Sequence, residues 1–159
     1  MSSSQRDAER ALKAAFDLYC SGQARAALEA AEPALRRSPS HAGLLNVAGA
    51  SALALGDLPA AESYWRRALL AAPLDPETHN NLGALLHRSL RYAEAERCYR
   101  HALELRPKFA SAWLNLARAM TEQGRLGEAE AAGRSALQAA PAVAEAPSPL
   151  GLDCARPGR

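Results

Sequence analysis

The sequence predicts an all-α fold built from repeated helical hairpins, and three observations carry that prediction. Four prolines, Pro39, Pro73, Pro107 and Pro141, recur every 34 residues. Small and apolar columns recur with them: Ala27, Ala61, Ala95 and Ala129; Ala34, Ala68, Ala102 and Ala136; Leu35, Leu69, Leu103 and Leu137. The apolar content is 48% of the chain with only 5% aromatics, and it is mostly Ala and Leu, which are strong helix formers. A fixed period of this length marks stacked units, none of which can bury a core by itself.

With units starting at Ala8, Ala42, Pro76 and Ala110, each reads as two helices. Helix A fills roughly the first fourteen residues and stops at a turn column of Gly22, Gly56, Leu90 and Gly124, where glycine suits a left-handed C-cap. Helix B follows and ends shortly before the proline, which cannot continue a helix interior. In the third unit Leu82, Leu85 and Leu86 mark one face of helix A. Tyr92, Ala95, Tyr99, Ala102 and Leu103 mark one face of helix B at spacings of three and four. Ala15, Gly49, Gly83 and Ala117 allow the two helices a close approach, and Trp65, Tyr99 and Trp113 are expected to fill the gaps between units.

The ends follow different rules. Ser4 and Asp7 are candidate caps for the first helix. After Pro141 come Pro147, Pro149, Gly151, Pro157 and Gly158, too many breakers for a packed helix, so a disordered tail is expected from about residue 144. The expected division is therefore an arm over 1–7, a degenerate first unit over 8–41, units over 42–75, 76–109 and 110–143, and a tail over 144–159. Helix B of the last unit is then left without an obvious cover. The tail folding over it, self-association through that uncapped C-terminal end, and descent from a longer array are the alternatives, the last being favoured.

These columns resemble the tetratricopeptide repeat family over residues 8 to about 141. The family pattern is met in the third unit by His79, Leu82, Gly83, Ala95, Tyr99, Ala102 and Pro107. The second meets it with Leu45, Ala48, Gly49, Ala61, Trp65, Ala68 and Pro73, and the fourth with Trp113, Leu116, Ala117, Ala129, Gly133, Ala136 and Pro141. The resemblance implies a right-handed α-solenoid of four tandem hairpins whose helix A residues line a concave, peptide-binding groove.

By that register the candidate groove collects Leu12, Lys13, Phe16 and Tyr19 from the first unit, and Asn46, Val47, Ala50 and Leu53 from the second. The third adds Glu77, Asn80, Asn81, Ala84, His87 and Arg88, and the fourth Leu114, Asn115, Arg118, Thr121 and Glu122. Asn46 with Asn80, and Asn81 with Asn115, lie 34 residues apart. An amide offers a donor and an acceptor, so a column of asparagines can grip a peptide backbone whatever its sequence. The alternative is that Asn suits a partly exposed helix position and bonds locally. The Asn81 and Asn115 column is similar to the asparagine ladder of protein O-linked N-acetylglucosamine transferases, with Lys13 and Val47 interrupting it. Leu12 and Phe16 depart from the pattern of repeats that clamp a C-terminal carboxylate. His87, Arg88 and Arg118 give the candidate groove a positive character.

Arg66, Arg67, Arg97 and Arg100, interleaved with Glu62, Glu94, Glu96 and Glu104, read as a solvated helix B face with helix ion pairs. His79 replaces a large core residue, so packing is its expected role. The net charge of +2 does not point to nucleic acid or a membrane surface as partner. No apolar run free of charge reaches spanning length. Three cysteines without ligand spacing, Cys20, Cys98 and Cys154, fit free thiols or small apolar residues in a reducing, cytoplasmic setting. No nucleophile elbow, phosphate loop or metal motif is present, so no cofactor, no metal and no catalysis are expected. The expected function is to hold a protein or peptide partner. The alternative is the substrate-recognising array of a glycosyltransferase or other modifying enzyme, separated from its catalytic domain.

Overall fold

A computed structural model describes residues 1–140 and Cys154. The expected tail from about 144 lies outside the described residues. Among these, the secondary structure is eight α-helices in four hairpins: α1 (Ser3–Cys20) with α2 (Ala24–Arg37), α3 (Ala42–Ala54) with α4 (Leu58–Ala71), α5 (Pro76–Arg88) with α6 (Tyr92–Leu105), and α7 (Ala110–Glu122) with α8 (Leu126–Ala139). The chain forms two compact units, Met1–Pro73 and Leu74–Arg159. Within each, helix A packs on its own helix B, helix B on the next helix A, and the two helices A on each other.

Helix A ends the same way in all four hairpins. The residue in the turn column donates its N–H three residues back, to Tyr19, Leu53, His87 or Thr121. The next residue reaches five back, to Leu18, Ala52, Leu86 or Met120. That geometry needs a left-handed residue. Gly22, Gly56 and Gly124 supply it at φ of 80°, 81° and 74°, and Leu90 does so at 61°. Leu90 thus makes the same hydrogen bonds with a Cβ in a region that disfavours one.

The start of α1 differs from expectation. Ser2 accepts from the Gln5 N–H at 3.2 Å while Gln5 Oε1 accepts from the Ser2 N–H at 2.8 Å, forming a capping box. The helix therefore begins at Ser3 and takes in most of the segment expected as an arm. Ser4 and Asp7 lie inside it rather than capping it.

Each middle hairpin closes on one small-to-large contact. A Cβ on Gly49 would come within 2.7 Å of the Trp65 indole, and one on Gly83 within 2.6 Å of the Tyr99 ring. Trp65 and Tyr99 are fully buried against the glycine of their own hairpin. Expected from sequence to fill gaps between units, each ring sits in the notch that the glycine of its own hairpin leaves. The first hairpin has Ala15 and Ala31 at these places, both buried. Its core is completed by Leu35, Leu44, Leu45 and Val47, with Leu12, Phe16, Tyr19 and Leu28 packed against them.

In the second unit Glu96 is nearly buried, which corrects its reading as part of a solvated face. It accepts from Arg100 at 2.8 Å, from Gln123 at 3.0 Å and from Arg125 at 2.6 Å. It therefore ties α6 to the turn between α7 and α8. Burial alone would raise the Glu96 pKa, but the hydrogen bonds from Gln123, Arg100 and Arg125 outweigh it and leave the carboxyl below its ordinary range. Elsewhere the expected helix pairs form, Arg66 with Glu62 at 2.6 Å among them. Cys98 is not disulfide-bonded. Cys20 and Cys154 are disulfide-bonded, so the free-thiol expectation fails for these two.

Gly83→Ala should lose about 1–3 kcal/mol of stability, because the Tyr99 ring must leave its seat. Gly133→Ala, in α8 with open space around the added Cβ, should be neutral or gain up to about 1 kcal/mol from helix propensity. Denaturant titration of the two variants checks the contrast. Leu90→Gly should raise the midpoint by the equivalent of about 1 kcal/mol, since it relieves the left-handed strain without removing a buried contact.

Candidate functional site

The second unit places the sequence-predicted residues on the adjacent helices α5 and α7. Asp75 caps α5 by accepting from the Glu77 N–H at 3.3 Å, with Pro76 in the first turn. Arg106 pairs with Glu77 at 3.1 Å and stacks over the Phe109 ring at 4.9 Å. These contacts fix where α5 and α7 start relative to one another. Trp113, half-buried, donates its indole N–H to the Pro107 carbonyl at 2.9 Å.

The asparagines are not on the rim of this face. Asn80 and Asn81 are fully buried and Asn115 nearly so. Asn115 donates from Nδ2 to Asn80 Oδ1 at 3.1 Å, bridging α7 to α5. The structure thus joins Asn115 to Asn80, whereas the 34-residue register pairs it with Asn81. Asn80 Nδ2 and Asn81 Oδ1 are buried without a hydrogen-bond partner, a state that costs about 1–3 kcal/mol per group. Asn46 lies half-buried on α3 of the first unit.

The exposed part of the face is chemically mixed. Arg88, Leu114, Arg118, Thr121 and Glu122 are exposed, and His87 and Ala84 are half-buried beside them. His87 packs edge-on against Tyr92, ring centroids 5.1 Å apart at 86°. Its imidazole is held below its ordinary pKa. Burial disfavours the cation most, Glu122 opposes that, and Arg118 adds to it. His87 is therefore neutral at pH 7, and the positive character of the face comes from Arg88 and Arg118. His79, expected to pack, is half-buried with its ring 5.3 Å from that of His101.

Among the described residues no group of three or more His, Cys, Asp or Glu is placed to hold a metal ion. No described helix is long and apolar enough to cross a membrane. The face offers one buried amide bridge, an apolar side chain and two guanidinium groups. That arrangement suits recognition of a chain segment by shape and charge.

Comparison with known families agrees with the repeat. The model of the Cilia and flagella-associated protein 70 middle TPR-like domain matches residues 44–149, more than half of the chain. The chain belongs to the tetratricopeptide repeat family. Among solved structures this tetratricopeptide repeat chain is similar to the MamA protein, with a TM-score of 0.78 at 19% identity over 84% of this chain and 73% of that one. It is similar to Pseudomonas aeruginosa pilF, TM-score 0.80 at 18% identity over 87% of this chain and 63% of that one. At those identities the likeness is one of fold. A Thermobaculum terrenum O-GlcNAc transferase variant matches with a TM-score of 0.71 at 27% identity, over 76% of this chain and 23% of that one. No curated protein matches the sequence. The fold is thus an all-α array of tetratricopeptide hairpins of the kind used for protein interaction.

An NMR titration should put the His87 midpoint below about 6.5. Arg118→Gln should raise that midpoint and Glu122→Gln should lower it further. The sign for stability follows: the folded state resists protonating His87. This contribution is therefore complete above the unfolded value and declines as pH falls through the window beneath it.

Proposed function

We propose that this chain is a non-catalytic interaction module that holds a peptide or protein segment against its helix A residues. One observation supports this most. The α5 and α7 face keeps Arg88, Leu114 and Arg118 exposed over a buried Asn80–Asn115 bridge. The bridge holds the two helices in register, and the exposed side chains choose the partner. Two guanidinium groups and a neutral imidazole favour a segment carrying a carboxylate, with an apolar residue to meet Leu114. On this reading Asn80, Asn81 and Asn115 form the floor of the site, and Asn46 is its counterpart on α3. His87, Arg88 and Arg118 set selectivity.

A second reading is a substrate-recognising array that works with a glycosyltransferase or other modifying enzyme. The 27% identity to the Thermobaculum terrenum O-GlcNAc transferase favours it. The repeats it shares occur in many settings, so the first reading is preferred.

Panning a random peptide library against the intact chain tests the proposal. Enriched peptides should pair an acidic residue with an apolar one, and the double variant Arg88→Glu/Arg118→Glu should weaken them about tenfold or more. Equal binding by the variant would sink this reading. Purification of the chain from its source in a complex with a glycosyltransferase would favour the second.

A further inference from the structure

Within each unit, helix B of the first hairpin is crossed by helix A of the second: α2 by α3 and α6 by α7. The leucine column sits at those crossings. Leu35 is 6% exposed and Leu103 is 7% exposed. Leu137 is the same column on α8, and it is 78% exposed. Leu126, 65% exposed, lies eleven residues earlier, about three helical turns, and so on the same stripe. Gly133 between them has open space where a Cβ would be.

The charges of the crossing recur as well. Glu96 and Arg100 on α6 are repeated by Glu130 and Arg134 on α8, an exposed pair at 2.6 Å. On α6 the glutamate also receives Gln123 and Arg125, from just beyond the end of the covering helix. That covering helix, α7, buries Ala112, Leu116 and Ala119, a stripe of small and apolar residues at spacings of four and three. In the first unit α3 does the same with Leu44, Ala48 and Ser51. The α8 stripe therefore repeats a receiving face that this fold covers twice elsewhere, and the cover's chemistry can be read from α7.

A second copy of the chain does not supply that chemistry head-to-tail. The corresponding residues of α1 are Arg10, Ala14 and Asp17, all exposed. Docking α1 there would bury two charges where the other crossings bury Ala, Leu or Ser, and desolvating those charges opposes it.

We propose that the outer stripe of α8, formed by Leu126, Glu130, Gly133 and Leu137, is a docking surface for an amphipathic helix of another protein. The partner helix carries small or apolar residues at spacings of four and three. It also carries a cation or amide just beyond its C-terminal end to meet Glu130. This surface is separate from the α5 and α7 face, so the two can fail independently.

A fluorescent peptide with the sequence of residues 108–125 serves as the probe, added to the intact chain and followed by anisotropy. Saturable binding is expected. Leu137→Glu in the chain, or Leu116→Glu in the peptide, should weaken it at least tenfold, and Glu130→Gln should weaken it severalfold. Leu137 is exposed, so its variant should keep the parent circular dichroism spectrum, and Arg88→Glu/Arg118→Glu should bind the probe unchanged. Absence of binding, or binding that survives Leu137→Glu, overturns the proposal. So does a dimer in sedimentation velocity that Leu137→Glu dissolves, because the occupant would then be a second copy.

Discussion

A hairpin of two helices stays closed only if their axes come close enough to exclude water between them. In this chain the approach is set where Gly49 receives Trp65 and Gly83 receives Tyr99. The glycine gives up helix propensity, worth roughly 1 kcal/mol, and the ring recovers more by burying its whole surface at that spot. Because the ring cannot slide without meeting backbone, the contact fixes the rotation of helix B about its axis. In α6 that rotation aims Leu103 at α7 and leaves the opposite side to Arg and Glu. Which side chains of α5 and α7 are exposed follows from this closure.

The period, the turn column and the helix B ends were legible in the sequence because each is a local requirement. A left-handed turn wants glycine and a helix interior rejects proline, wherever the neighbours are. The start of α1 was ambiguous because Ser2, Ser3, Ser4 and Asp7 can all act as caps; only Ser2 has a glutamine three residues on. A signal for the seat of the aromatics within the hairpin is present too. The large rings of helix B occur in the two hairpins whose helix A carries glycine, whereas Ala15 faces a hairpin with Ala31. That is size complementarity within a hairpin.

The site was legible as a set of positions and much less as a surface. Register assigns Asn80, Asn81 and Asn115 to helix A, but register says nothing about what lies over them. Their burial comes from packing between helices, and packing makes Asn115 a partner of Asn80. Glu96 was missed for the same reason. Beside Arg97 and Arg100 it looks like one more surface charge, and only the turn after α7 encloses it.

That enclosed carboxylate has a consequence for how the second unit comes apart. In a repeat array each hairpin is held by its own stability and by its interface with the next. Glu96 joins three donors from two hairpins, so neither hairpin can open without stripping hydrogen bonds from the other. The interface term is correspondingly large and partly ionic. At neutral pH the ionised Glu96 therefore couples the third hairpin to the fourth. Acid, by discharging Glu96, weakens that coupling.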